Sequence, residues 1–156
     1  MWVGFSNLLV GALALMLVAA AATDIRSRTI PNWLNAAVAL GAIPFWWASG
    51  LALWPDVAVQ VGLAGLLFAI FAAAFAAGFM GGGDVKMIAA LALWLPPGAT
   101  VVMLVLMSIG GGLLTVAMVV RHRLAARRDA VEVPYGVAIA GAGLWLIGER
   151  FLNHFA

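Results

Sequence analysis
Charge hardly ever interrupts the apolar runs of this chain. Of its 156 residues, 9% are charged and 66% are apolar, and the mean hydropathy is +1.14. A soluble domain carries roughly 25% charged residues. So few charges cannot cover a water-facing surface, and the composition specifies an integral membrane protein. A soluble enzyme, a nucleic-acid-binding domain and a disordered chain are all excluded. The basic character implies no nucleic acid, because the net charge is only +2.

A bilayer core needs about 20 apolar residues of helix. The apolar runs predict an all-α protein with six transmembrane helices, over about 2–22, 33–54, 57–80, 84–95, 99–120 and 133–152, forming one domain across 1–156. The fourth run is short. It spans only if the glycines before it lie in the membrane, and otherwise it is re-entrant. In this six-span arrangement Arg26, Arg28, Lys86, Arg121, Arg123, Arg127 and Arg128 share one side, and Arg150 lies on the other. The positive-inside rule makes the shared side cytoplasmic, with both termini on the opposite side. The first run has no basic residue before it, so it reads as an uncleaved anchor, not a secretory signal.

There is no cysteine, which removes disulfides, thiol catalysis and cysteine-ligated metal. His122 and His154 are far apart and form no HExxH. No metal and no cofactor are expected.

The acidic residues are few enough to weigh singly. Asp24 ends the first span, in Asp24-Ile25-Arg26-Ser27-Arg28-Thr29-Ile30-Pro31-Asn32; Asp84 follows Gly81-Gly82-Gly83 and precedes Val85-Lys86. Taken alone, Asp24 is a solvated helix end or an arginine partner. Asp84 alone is an N-cap for the fourth helix. Taken together, they are two carboxylates at one membrane face, brought there by helices distant in sequence. Ionisable groups at membrane depth are costly and point to function. Two close carboxylates share a proton, which is the machinery of aspartic proteolysis. One takes a proton from the attacking water, and the other hydrogen-bonds the carbonyl and later helps protonate the leaving nitrogen. Gly81, Gly82 and Gly83 would leave room for an extended substrate strand, or simply form a tight turn. They form no phosphate loop, because Gly-Lys-Ser/Thr is absent.

Three segments then carry a family resemblance. Gly81-Gly82-Gly83-Asp84 with Lys86 matches GxGDxK, Asp24 leads into Ile30-Pro31-Asn32, and Val133-Pro134-Tyr135-Gly136 opens the last helix. In their order along the chain they resemble the type IV prepilin peptidases, which are GxGD membrane aspartic proteases. The resemblance implies that Asp24 and Asp84 are catalytic. It also implies that the substrates are prepilin or pilin-like precursors, cut after a glycine at the cytoplasmic face of the inner membrane to release a short basic leader. Larger members add a tetracysteine zinc segment and methylate the new N-terminus. With no cysteine and no soluble segment before the first span, this chain resembles the short, peptidase-only members of the Flp or tight-adherence type, and methylation is not expected. Archaeal preflagellin peptidases are a neighbouring possibility.

Other residues carry lesser readings. Lys86 either tunes an aspartate, holds a substrate carbonyl or anchors the chain at the cytoplasmic face. Pro31 and Asn32 start the second helix, with a substrate role for Asn32 as the sharper alternative. Pro134 starts the sixth, where Tyr135 suits the interfacial belt and Gly136 completes the segment. Asp56 caps the third span. Gly110-Gly111-Gly112 suits close helix packing, or a bend that widens a groove. The loop Arg121–Glu132 has the wrong sign for a basic leader and suits anionic headgroups, although Asp129 and Glu132 could attract one. The oligomeric state is not legible. Three rivals remain: a small proton or ion relay, a non-catalytic scaffold, and a presenilin-like intramembrane protease.

Overall fold
The computed structural model describes residues 3–124 and 133–152, with side chains described over 4–124 and 133–150. The expectations resting on Arg127, Arg128, Asp129, Glu132 and His154 lie outside the described residues. Six helices and no strand are present among those described: α1 (Val3–Ser27), α2 (Asn32–Ala48), α3 (Ala58–Ala76), α4 (Gly82–Ala92), α5 (Pro97–Leu124) and α6 (Tyr135–Leu152). A single irregular turn, Leu53–Val57, leads into α3. It is closed by the Asp56 carboxylate, which accepts the Ala52 N–H at 3.2 Å. Asp56 thus caps this turn and not α3 itself.

Among the described residues, three helical segments are long and apolar enough to cross a membrane: Gly4–Ser27, Leu53–Ala76 and Pro97–Leu124. Leu8, Leu15, Leu66, Ile70, Val101 and Leu113 on these helices are exposed, as suits a surface solvated by lipid and not by water. α4 is different. Its 11 residues rise about 16 Å, roughly half of a hydrocarbon core. Most of them are buried, and the helix lies against α2, α3 and α6 with a lighter contact to α5. The core is built on this short helix. Met87, Ile88 and Leu91 pack with Leu17 of α1, Leu34 of α2, Met103 of α5 and Ile139 of α6, all fully buried.

Indole bonds lock α4 to α2. Trp46 Nε1 donates to the Leu93 carbonyl at 2.7 Å, satisfying one of the free carbonyls at the end of α4. Trp94 Nε1 donates to the Val38 carbonyl at 2.8 Å. In an apolar surround each such bond replaces a group that would otherwise be buried without a partner.

Element ends differ from the hydropathy runs for local backbone reasons. α1 continues to Ser27, so Asp24 lies within its last turn and not beyond it. α2 stops at Ala48 and α3 at Ala76, short of positions 54 and 80, because Gly50 (φ +68°) and Gly78 (φ +79°) turn left-handed. At Gly78 the two bonds of a Schellman cap form. The Gly78 N–H donates to Phe75 at 2.9 Å, and the Phe79 N–H donates to Ala74 at 3.0 Å. Hydropathy does not sense this turn, since Phe79 and Met80 beyond it are as apolar as the helix. The turn is what lets α4 begin at Gly82.

Nothing lies within 4 Å of a Cβ built on Gly78, so replacing it tests backbone conformation alone. Gly78→Ala should lower stability by about 1 kcal/mol, read as an earlier thermal transition of tryptophan fluorescence in detergent. An unshifted transition would show that the left-handed turn is not held.

Candidate active site
The end of α1 delivers one carboxylate. Asp24 is 4% exposed, and its Oδ2 accepts the Val137 N–H at 3.2 Å. Val137 lies in the first turn of α6, whose leading amides have no partner within the helix. Asp24 therefore adds from α1 a second acceptor for an amide it shares with the Pro134 carbonyl, at the helix end where negative charge is favoured.

The start of α4 delivers the other. Gly81 is the N-cap and Asp84 is the third helical residue, 9% exposed. Asp84 is thus not itself the N-cap. Its carboxyl folds back over Gly81, so that a Cβ on Gly81 would lie 3.0 Å from Oδ2. This is the return half of a capping box, made by an Asp. Each carboxylate is thereby set at a helix N-terminus. The two line one cleft of about 500 Å³ and lie within electrostatic reach of each other. Thr29 and Arg28 from the end of α1, Gly78 to Gly81 from the α3–α4 link, and Val133 and Tyr135 from the α6 entry complete the walls.

Ile30 sets the spacing between the helices that carry them. It is 6% exposed. A Cβ on Gly83 would lie 3.2 Å from Ile30 Cβ, and one on Gly136 would lie 2.8 Å from both Ile30 Cδ1 and Asp24 Oδ2. The side chain is thus wedged between the starts of α4 and α6: an added methyl at Gly136 would force a shift, and one at Gly83 would press Ile30 tightly. Gly82 meets the Phe75 ring, with a Cβ there 3.4 Å from Cε2. Of the three successive glycines, Gly81 alone lines the cleft; the space at Gly82 and Gly83 is taken by the chain's own Phe75 and Ile30.

The Pro-Asn step ties α2 to α4. Pro31 occupies the N-cap of α2, one position before the helix proper, and its carbonyl accepts the amides of Leu34 and Asn35. Asn32 Oδ1 accepts Lys86 Nζ at 2.7 Å, and Asn35 Nδ2 donates to the Gly83 carbonyl at 3.2 Å. Lys86 thus turns away from the aspartates. It stands with Asn32 and Asn35 at a separate, apolar groove of about 510 Å³ between α2, α3 and α4. Pro134 is buried just before α6, and its carbonyl accepts the Val137 N–H at 3.2 Å. Tyr135 opens α6 and packs on α5. Its ring covers Gly111 of α5, where a Cβ would be 2.8 Å from Cε1, and its hydroxyl is 3.3 Å from Thr115 Oγ1. Gly111 thereby serves close packing of α5 on α6.

Three contributors were not singled out from the sequence. Ile30 was read as motif and not as a wedge. Asn35 carries a signal in hindsight, because it follows Asn32 by three positions on one helix face. Arg28 lines the cleft with a backbone conformation that no hydropathy pattern reveals.

Two buried carboxylates in one cleft, each at a helix N-terminus, can activate a water and protonate a leaving group without a nucleophilic side chain. No curated protein and no solved structure matches the chain. The sequence profile of the type IV leader peptidase family matches residues 11–116, a stretch that contains both aspartates, the Ile30-Pro31-Asn32 segment and the glycine run. The chain belongs to the type IV leader peptidase family.

Proposed function
We propose that the protein is a membrane aspartic endopeptidase that removes the short basic leader of prepilin-like precursors, with Asp24 and Asp84 as its catalytic pair. One observation carries this reading. Two acids 60 positions apart in the sequence, on helices that start and end differently, line a single open cleft at one end of the bundle. Family membership supplies the substrate class.

The chemistry follows from the pair. With one proton shared, the ionised carboxylate takes a proton from water as the water oxygen attacks the scissile carbonyl. The protonated partner donates to that carbonyl oxygen. Collapse of the tetrahedral species breaks the C–N bond, and a proton passes to the departing amine. The products are a free leader carboxylate and a mature chain with a free amine. Gly81 leaves the cleft wall beside Asp84 without a side chain, so an extended backbone can approach it. Asn32, Pro31 and Lys86 act in the frame and not on the substrate, holding α2 against α4. In this reading the cleft opens toward the cytoplasm across the inner membrane, where a precursor's basic leader is retained. Anionic headgroups surround the basic end of the bundle. A proton or ion relay fits less well, because both carboxylates open into one cleft at one end of the bundle.

The pair should act as a unit. Asp24→Asn and Asp84→Asn should each reduce cleavage of a precursor peptide about 10³-fold or more, and the double variant should lose no more than either. Product mass decides both the rate and the cut position. Retained cleavage by either variant would assign the chemistry elsewhere, and a cut inside the precursor's apolar helix would indicate a presenilin-like enzyme.

Gly136 gives a second check. An added methyl would meet Asp24 Oδ2 and Ile30 Cδ1 at 2.8 Å. Gly136→Ala should displace the carboxylate and lower kcat about a hundredfold, the scale of an ångström-sized misplacement, while the protein still inserts and purifies as a folded species. Unchanged kcat would show that the α6 entry does not position Asp24.

A further inference from the structure
Arg28 stands where its backbone disfavours it. Its φ is +54°, the one left-handed non-glycine conformation among the described residues. Its amide donates to the Asp24 carbonyl at 3.0 Å and so closes α1. Helix ends of this kind favour glycine, then asparagine. A helix C-terminus also welcomes a cation, but Arg26 already supplies one from ordinary helical backbone. Membrane anchoring or macrodipole compensation therefore leaves the choice of arginine at the strained position unexplained. Strained backbone of this sort gathers at functional sites.

The turn does something that Arg26 does not do. It sets Arg28 in the wall of the cleft, the one cation among its described lining residues, near enough for its charge to act on Asp24. The guanidinium makes no ion pair with any described residue, so it bears on the cleft as a whole and is not tied to one oxygen. An aspartate pair with one shared proton carries one negative charge. Both carboxylates are buried, and a charge on them is costly unless a cation offsets it. We infer that Arg28 is the counter-ion of the aspartate pair, held over the cleft by the left-handed turn that ends α1. It is a positioning residue. It acts through the carboxylates, keeping the cleft near neutrality in the resting pair and as charge develops on the attacked carbonyl. The kinetic part of this inference rests on the leader-peptidase reading; the electrostatic part does not.

The decisive variant is Arg28→Gly, which removes the charge and relieves the backbone at once. The first measurement is a double-mutant cycle on thermal unfolding in detergent, followed by tryptophan fluorescence, using Arg28→Gly, Asp24→Asn/Asp84→Asn and their combination. A counter-ion predicts that Arg28→Gly costs more Tm when both aspartates are present than in the Asn/Asn background, where only backbone relief remains. Equal shifts in the two backgrounds would overturn the inference. The second measurement is cleavage of a precursor peptide. Arg28→Gly should lower kcat about tenfold, the scale for unlike charges interacting across a half-solvated cleft, with KM little changed. Arg28→Lys should restore most of the rate, and Arg26→Gln, outside the cleft, should leave it unaltered. Wild-type kcat in Arg28→Gly would equally overturn the inference. Should the unaltered protein cleave no precursor, the leader-peptidase reading falls and the unfolding cycle alone decides the role of Arg28.

Discussion

The wedge of Ile30 between Gly83 and Gly136 is the contact on which the geometry of the site depends. It sits at the point where α4 and α6 both begin, and it decides how far apart their first turns stand. Those turns hold the two acids: Asp84 rides on one, and the other receives the Asp24 carboxylate at Val137. A larger glycine replacement would push the helices apart. A smaller residue at position 30 would leave a void that α4 and α6 cannot close without moving both carboxylates. Ile is also β-branched, with few rotamers, and is therefore a stiff spacer. The segment that looks like a linker between α1 and α2 is in this sense the gauge of the candidate site.

Two helix N-termini meeting at one cleft also suit a medium with few charges. Over most of the bundle there is no water to solvate a carboxylate and hardly any cation to pair with it. Beside Arg28, free backbone amides at helix starts are a further source of positive potential, and both aspartates use it. α4 can serve in this way because it is short. A helix long enough to span would carry its first turn out to the membrane surface. An 11-residue helix packed among the others keeps Asp84 mostly buried while the cleft beside it stays open.

The helical class, the number of helices and the brevity of the fourth were legible because they follow from apolar run length, a bulk property. The pairing of Asp24 with Asp84 was legible because acids are scarce and every one could be asked why it is there. What hydropathy could not reveal were features set by single backbone angles. Gly78 ends α3 within an apolar run, and Arg28 bends the end of α1 in a stretch that reads as a plain basic anchor. The glycine run was legible as room but not as to whose. Gly82 and Gly83 are filled by Phe75 and Ile30, contacts between residues that no periodicity connects. Lys86 stands apart from Asp84 for a geometric reason. Two positions along a helix is about 200° of rotation at 3.6 residues per turn, so it points to α2 when Asp84 points to the cleft.

That rotation gives α4 two polar faces with different tasks. Toward the cleft it presents Asp84. Toward α2 it presents Lys86 and the Gly83 carbonyl, which meet Asn32 and Asn35 one turn apart. Lower down, the indoles of Trp46 and Trp94 bond backbone carbonyls across the same interface. Apolar packing alone, with lipid available as an equally good partner, fixes neither the rotation nor the height of a short helix. Directional bonds at both ends do fix them, because slippage by one residue would leave several buried donors and acceptors unpaired at once. The amide, ammonium and indole groups on the α2 side therefore determine where Asp84 stands on the other. This accounts for an Ile-Pro-Asn segment lying so close in space to the aspartates while its polar side chains touch neither of them.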